Sequence, residues 1–207
     1  GNAPRGRLVL ATGHFSRLLL MNVSLLIPCF NASRFVLETL GSAIQNMEPG
    51  DEIVLVDDHS SDDSMAKATA FLQQSGVDHQ IASNPDKGAC AARNHALSLA
   101  KGKLIQWLDA DDLLGAAKVA TQRQHLHPGE KSLVVSPFQT FLEKADDNRA
   151  SDECDWASVA PPSPANWLAS GNMTVPACWL GNRVVFEAAG PWDTSLEVNQ
   201  DGEYFAR

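Results

Sequence analysis

The chain predicts an α/β fold built on a mostly parallel sheet with helices on both faces. Three observations lead there. Strand-like and helix-like segments alternate from Val23 to Ser136, the pattern of a layered α/β domain. The strand-like runs are short and almost continuously apolar, as in Val23 to Cys29 (VSLLIPC), which suits strands covered on both faces. Polar residues gather directly after three of these runs, at Phe30-Asn31, Asp57-Asp58 and Asp109 to Asp112. Open α/β sheets bind ligands outside the carboxyl ends of their strands, so the shared placement points to one site.

The elements follow in order. Val23 to Cys29 is the first strand, and Pro28 closes it because proline cannot donate to a ladder. Ser33 is the expected cap of a helix to about Asn46, with Phe35, Val36, Leu40, Ala43, Ile44 and Met47 on one side. Pro49-Gly50 punctuates, and Ile53 to Val56 is the second strand. Ser61 or Asp62 caps a helix carrying Met65, Ala68, Phe71 and Leu72, and Val77 to Ala82 is a weaker third strand. After the turn Asn84 to Gly88, an alanine-rich helix runs from about Ala89 to Ala100, stopped by Lys101-Gly102. Leu104 to Leu108 is the fourth strand, Leu113 to Leu126 a helix, and Leu133 to Ser136 a fifth strand. From Phe138 to Pro164 the pattern fails in an acidic and then proline-rich tract, read as a loop or insertion. Periodicity returns at Ala165 to Ala169, Val175 to Leu180 and Arg183 to Ala189. Gly190-Pro191-Trp192 is a turn, and Gln200 to Arg207 opens a helix.

Composition narrows the function classes. The 207 residues, 44% of them hydrophobic, suffice for one sizeable core. A formal net charge of -9 gives no bulk attraction to nucleic acid or anionic lipid. Cys29, Cys90, Cys154 and Cys178 show no C-x-x-C or zinc spacing and read as small buried apolar side chains, as in a reducing compartment. No apolar run reaches the length of a membrane span. Gly1 to Leu20 reads as an upstream extension or tag remnant. Gly13, His14, Ser16 and Arg17 interrupt the apolar region that a signal peptide would need.

The chemistry centres on Leu108-Asp109-Ala110-Asp111-Asp112. Three carboxylates crowded at a strand end repel one another, and a divalent cation with oxygen ligands relieves that repulsion. Such a cation would in turn hold an anionic ligand, most simply a diphosphate. Helix-dipole stabilisation accounts for Asp112 as a cap but not for Asp109, which ends the strand.

At this point a resemblance is specific. The segments Val23 to Asn31, Glu52 to Asp62, Asn84 through Gly88 to Asn94, Ala100 to Asp112, and Gln200 to Arg207 stand in the order of the family 2 glycosyltransferases. The match is dense over Val23 to Asp112 and looser over Arg183 to Arg207. The resemblance implies the GT-A fold, a Rossmann-like mostly parallel sheet with helices on both faces. It also implies transfer of a hexosyl or N-acetylhexosaminyl group from a nucleoside-diphosphate sugar to an acceptor hydroxyl, with inversion, as in polysaccharide or cell-envelope glycan synthesis.

By that resemblance Asp109-Ala110-Asp111 is the D-x-D element. Asp111 contacts the metal, and Asp109 the ribose or a metal-bound water, with Mn2+ or Mg2+ as cofactor. Asp58 matches the carboxylate that contacts the nucleobase, which suits a UDP-sugar donor. Pro28 and Phe30 match the loop lining the base, with Phe30 in place of the usual tyrosine. Stacking survives that exchange and a hydroxyl contact does not; a plain core role for Phe30 is the equal alternative. Lys87 and Arg93 stand near the start of the third helix, where either could face the diphosphate. Asn94 reads as a brace. His59 stands where glycine is common, and positive φ suits histidine less well. Asp201 matches the catalytic base, although Gln200 replaces the glutamate that usually precedes it. Glu203 is the rival base, and Asp201 as a helix cap is the bland alternative. Core packing is the default for Trp156, Trp167, Trp179 and Trp192.

The expectation is therefore a GT-A domain over residues 21–207, truncated at its C-terminus, with a nucleotide-binding half over 21–136 and the start of an acceptor half over 137–207. It would be a metal-dependent inverting glycosyltransferase acting on a glycan, lipid or protein acceptor, cytoplasmic or peripheral at the inner face of the membrane. Two alternatives stay open. A nucleotidyltransferase shares nucleotide, metal and sheet, but needs a glycine-rich first loop where this chain has Phe30 to Arg34. A non-catalytic nucleotide-sugar-binding module is compatible with Gln200.

Overall fold

The computed structural model describes residues 21–140 and 175–207. The expectations for Gly1 to Leu20, the acidic and proline-rich tract, Cys154, Trp156, Ala165 to Ala169 and Trp167 lie outside these. The elements are β1 (Val23–Cys29), α1 (Val36–Gln45), β2 (Glu52–Asp57), α2 (Ser64–Ser75), β3 (Asp78–Ser83), α3 (Ala89–Leu99), β4 (Leu104–Trp107), α4 (Lys118–Arg123), β5 (Leu133–Val135), β6 (Trp179–Asn182), α5 (Arg183–Ala189) and α6 (Gln200–Phe205). A 3-10 turn at Pro176–Cys178 leads into β6. The sheet order is β3-β2-β1-β4-β6-β5. β1, β2, β3 and β4 pair in parallel, while β6 runs antiparallel between β4 and β5.

Both faces are covered, as the continuous apolar strands require. On one face Leu25 and Ile27 of β1 pack with Val36 and Leu40 of α1, Leu72 of α2 and Val119 of α4. On the other, Leu26 packs with Ala92 and Ala96 of α3, Phe186 of α5 and Tyr204 of α6. Alternation along β1 thus feeds two cores. Cys29, Cys90 and Cys178 are buried thiols, and burial pushes the Cys29 thiol up to about 11.

Several boundaries differ from expectation. Ser33 does not cap α1. Its backbone N–H donates to Asp62 at 3.0 Å, and the helix begins through a turn on the Ala32 carbonyl. Asp62 accepts from the backbone N–H of Ser64 at 3.0 Å at the start of α2, although the cap position itself is Asp63. Gly102 does not end α3 as a left-handed stop. The helix ends at Leu99, and Gly102 is required because a Cβ there would sit 2.5 Å from the backbone nitrogen of Ser24. The long helix expected over Leu113 to Leu126 is reduced to α4. Ser42 and Asn46 of the α1 end capture the backbone of Leu114, Gly115 and Val119, and Ala117 takes φ 58°. Side chains from α1 hold this stretch in a loop against its local helical pattern. Asp112, five residues before that residue, therefore caps no helix.

Lys118 on α4 is half-buried, with its amine donating to Gln106 Oε1 of β4 at 2.5 Å. Burial pulls its ammonium down to about 7. The folded chain therefore releases this proton above pH 7, while the unfolded chain keeps it until near pH 10. Stability from this group rises with pH over that window, since the unfolded state holds more protons. The difference in stability between wild type and Lys118→Met is expected to shift toward wild type from pH 7 to pH 8.5, as read by urea unfolding.

Candidate active site

The carboxyl ends of β1, β2 and β4 open onto a cleft of about 240 Å³. Its walls bring together Pro28, Phe30, Asp58, Arg93, Asp109 and Asp111, six of the eight residues singled out from the sequence. Phe35 of the turn before α1 joins them unexpectedly. Lys87 is exposed and does not line the cleft. Asp201 lies in the first turn of α6, half-buried and outside the cleft lining.

Each wall has a local cause. Phe30 is 58% exposed, so it is a rim side chain and not core. The loop behind it is pinned: the Asn31 backbone N–H donates to Ser60 at 3.1 Å, and Asn31 Oδ1 accepts from the Ser61 backbone N–H at 2.8 Å. Asn31 takes φ 47° and His59 φ 64°. Positive φ at His59 explains why glycine suits that position, and the histidine ring offsets the strain by bonding the Asp86 carbonyl oxygen at 2.7 Å.

Asp58 is buried and tightly held. Its Oδ1 accepts from Asn84 Nδ2 at 2.8 Å, and the Gly88 backbone N–H lies 2.9 Å from Oδ1 and 3.0 Å from Oδ2. Gly88, at φ 102°, starts α3. The carboxylate thus orders the loop between β3 and α3, and Oδ2 keeps acceptor capacity for one further donor.

The acidic loop after β4 is fixed from behind by Thr39 Oγ1, which donates to the Ala110 carbonyl at 2.9 Å. Asp109 accepts from Arg93 Nη2 at 2.8 Å. Asp111 is exposed and has no hydrogen-bond or ion-pair partner among the described residues. Burial, then Asp109 and Asp111, push the Asp112 carboxyl up to about 6, the repulsion expected of three crowded acids. Arg93 is the one cationic side chain among the described residues lining the cleft.

Arg93 is buried and lies 4.7 Å over the Trp192 ring. Its Nη1 donates to Gln200 Oε1 at 3.2 Å. Asn94 beside it is a brace: it donates to the Trp192 carbonyl at 3.0 Å and accepts from the Trp192 backbone N–H at 2.8 Å. Trp192 is buried and stacks on Tyr204 with ring centroids 4.0 Å apart. Trp179 stacks on Phe205 at 4.8 Å. Both tryptophans are therefore packing residues. Glu203, the rival base, is engaged by Arg207 at 2.6 Å, whereas Asp201 has no such partner among the described residues. Nothing local in the sequence marks the partners Asn84, Thr39 and Gln200, polar side chains whose targets lie 26 or more residues away.

The sequence pattern of Glycosyl transferase family 2 matches residues 24–190. The glycosyltransferase GlyG of Streptococcus pneumoniae is 26% identical over 121 residues, 58% of this chain and 40% of that protein. The Escherichia coli UDP-Glc:alpha-D-GlcNAc-diphosphoundecaprenol beta-1,3-glucosyltransferase WfaP is 34% identical over 124 residues, 60% of this chain and 47% of that protein. The chain thus spans less than half the length of these two relatives. Among solved structures, residues 1–349 of S. aureus TarS in complex with UDP-GlcNAc superpose with a TM-score of 0.68 at 17% identity, covering 90% of this chain and 53% of that one. The mannosyltransferase PcManGT from Pyrobaculum calidifontis, in complex with GDP-Man and Mn2+, gives 0.63 at 19% identity, covering 88% and 50%. The fold is the expected GT-A architecture. No helix among the described residues is long and apolar enough to cross a membrane.

Proposed function

The chain belongs to glycosyl transferase family 2, and on that premise we propose an inverting glycosyltransferase that uses a divalent cation and a UDP-sugar donor. The observation that carries this reading is the gathering of Pro28, Phe30, Asp58, Arg93, Asp109 and Asp111 around one cleft at the carboxyl end of the sheet. Donor choice draws support from the UDP-Glc in the name of WfaP and from the acceptor capacity left on Asp58, which suits the imide N–H of uracil. Phe30 at the rim offers a face for the base.

The residues present fit a hard cation. Among the described residues no trio of His, Cys, Asp and Glu encloses an ion unaided. Mg2+ or Mn2+ shared with a diphosphate needs only one or two protein carboxylates. Asp111, unpartnered, is the direct ligand, and Asp109, held by Arg93, is the second acid or the contact to ribose. When bound, the cation supplies Lewis-acid neutralisation of the leaving diphosphate.

In the transfer, Asp201 takes the proton of the acceptor hydroxyl as that oxygen forms its bond to the anomeric carbon. The bond from that carbon to the diphosphate oxygen breaks, and the electron pair leaves on the diphosphate. A single displacement inverts the carbon. Arg93 keeps Asp109 in position and adds positive charge near the leaving group. The acceptor is a glycan, lipid or protein hydroxyl brought by the half beyond residue 137, and the reaction takes place in the cytoplasm or at the inner membrane face.

A thermal-shift screen of nucleotide sugars with and without Mn2+ tests this reading. The cognate donor is expected to stabilise the protein by about 2.7 kcal/mol at a hundredfold excess over its dissociation constant, and only with the metal. Equal shifts for all nucleotides, or none, would count against it.

A further inference from the structure

Gln200 makes two hydrogen bonds that fix which end of its amide faces which partner. Its Nε2 donates to the Leu196 carbonyl at 2.8 Å, so its Oε1 is the end that accepts from Arg93 Nη1 at 3.2 Å. A carboxylate at this position could accept from Arg93 but would face the Leu196 carbonyl with no proton to give. On its other branch Arg93 donates to Asp109. The guanidinium Nε is buried with no partner among the described residues. The orientation of Arg93 therefore rests on three contacts: Gln200, Asp109 and the Trp192 face.

We infer that Gln200 is a positioning residue that couples the helix carrying Asp201 to the acidic strand end, by aiming Arg93 at Asp109 without competing for its charge. Two consequences follow. The acceptor-side helix and the carboxylates facing the cation form one linked unit, although no side chain of α6 lines the cleft. The neutral amide leaves the charge of Arg93 to Asp109, so of the two acids lining the cleft from this loop Asp111 is the one without a partner among the described residues.

This inference rests on the proposed nucleotide and cation chemistry, and the test separates the two. UDP binding to the full chain is measured by calorimetry with and without Mn2+, for wild type, Gln200→Ala, Gln200→Glu and Arg207→Gln. The last variant loosens α6 elsewhere, because Arg207 bonds Glu203 and the Pro191 carbonyl. Gln200→Ala is expected to weaken Mn2+-dependent UDP binding about tenfold, the effect of losing one bond to a charged group. Arg207→Gln is expected to stay within about twofold of wild type, as is usual for exposed pairs. Gln200→Glu draws Arg93 toward a second carboxylate and returns negative charge to Asp109. The gain in UDP affinity on adding Mn2+ is then expected to grow about threefold or more. Equal losses in Gln200→Ala and Arg207→Gln, or an unchanged Mn2+ gain in Gln200→Glu, would overturn the inference. If wild type itself shows no Mn2+ gain, the cation reading fails and the inference falls with it.

Discussion

Asp201→Asn is expected to lower the rate of sugar transfer by about 10²- to 10⁴-fold, the usual contribution of a general base, while leaving UDP affinity within about twofold of wild type. The asymmetry follows from position. Asp201 lies outside the cleft lining, on a helix whose neighbouring residue reaches Arg93. It therefore stands outside the cleft while its helix is tied to a residue that lines it. Its rival Glu203 is tied to Arg207, so Glu203→Gln should lose far less. Steady-state transfer and calorimetry on the same preparations check both halves. Loss of UDP binding in Asp201→Asn would make the residue a scaffold of the cleft, and transfer at the wild-type rate would remove it from the chemistry.

Arg123→Met is expected to destabilise the fold by about 3–5 kcal/mol, the cost of stranding a buried charge. That is a large share of the total stability of a domain of this size. Arg123 pairs with Asp51 and with Glu48, each at 2.5 Å, and the Asp51 side chain is 1% exposed. Asp51 also accepts from the backbone N–H groups of Val23 and Glu48 at 2.8 and 2.9 Å. The pair thus ties the start of β1, the turn before β2 and α4 together, at the amino end of the strands and away from the cleft. Arg123→Lys, which keeps a positive charge beside Asp51, should recover part of the loss. Urea midpoints of the two variants decide it. Equal destabilisation in both would mean that packing, and not charge, sets the cost.

How much of this was legible in sequence depends on the range of the interaction. β1, α3 and α5 fall within a residue of expectation because their signals are local: a continuous apolar run, an alanine-rich stretch, a short periodic segment. The strand-end position of Phe30, Asp58 and Asp109 was legible because parallel α/β topology collects carboxyl ends at one rim. The helix expected over Leu113 to Leu126 shrinks to Lys118–Arg123 because Ser42 and Asn46 capture its first turns from another element. The antiparallel insertion of β6 was hidden because a register is set between strands, and Trp179–Asn182 has no pattern that names its neighbour. Within the site, residue types were readable but partners were not. Arg93 could be suspected of facing a diphosphate, yet nothing in its neighbourhood shows that its branches reach Asp109 and Gln200, 16 and 107 residues away.

Asp111 at the rim has no partner among the described residues, and its proposed role is to hold a cation shared with a nucleoside diphosphate. Calorimetric titration of UDP into wild type and Asp111→Asn, each with and without Mn2+, tests it most directly. Wild type should bind UDP at least about tenfold more tightly with the metal, a difference of about 1.4 kcal/mol, and Asp111→Asn should bind equally weakly in both conditions. UDP binding that ignores Mn2+ in wild type would rule out the shared cation, and a full Mn2+ response surviving in Asp111→Asn would rule out Asp111 as its ligand.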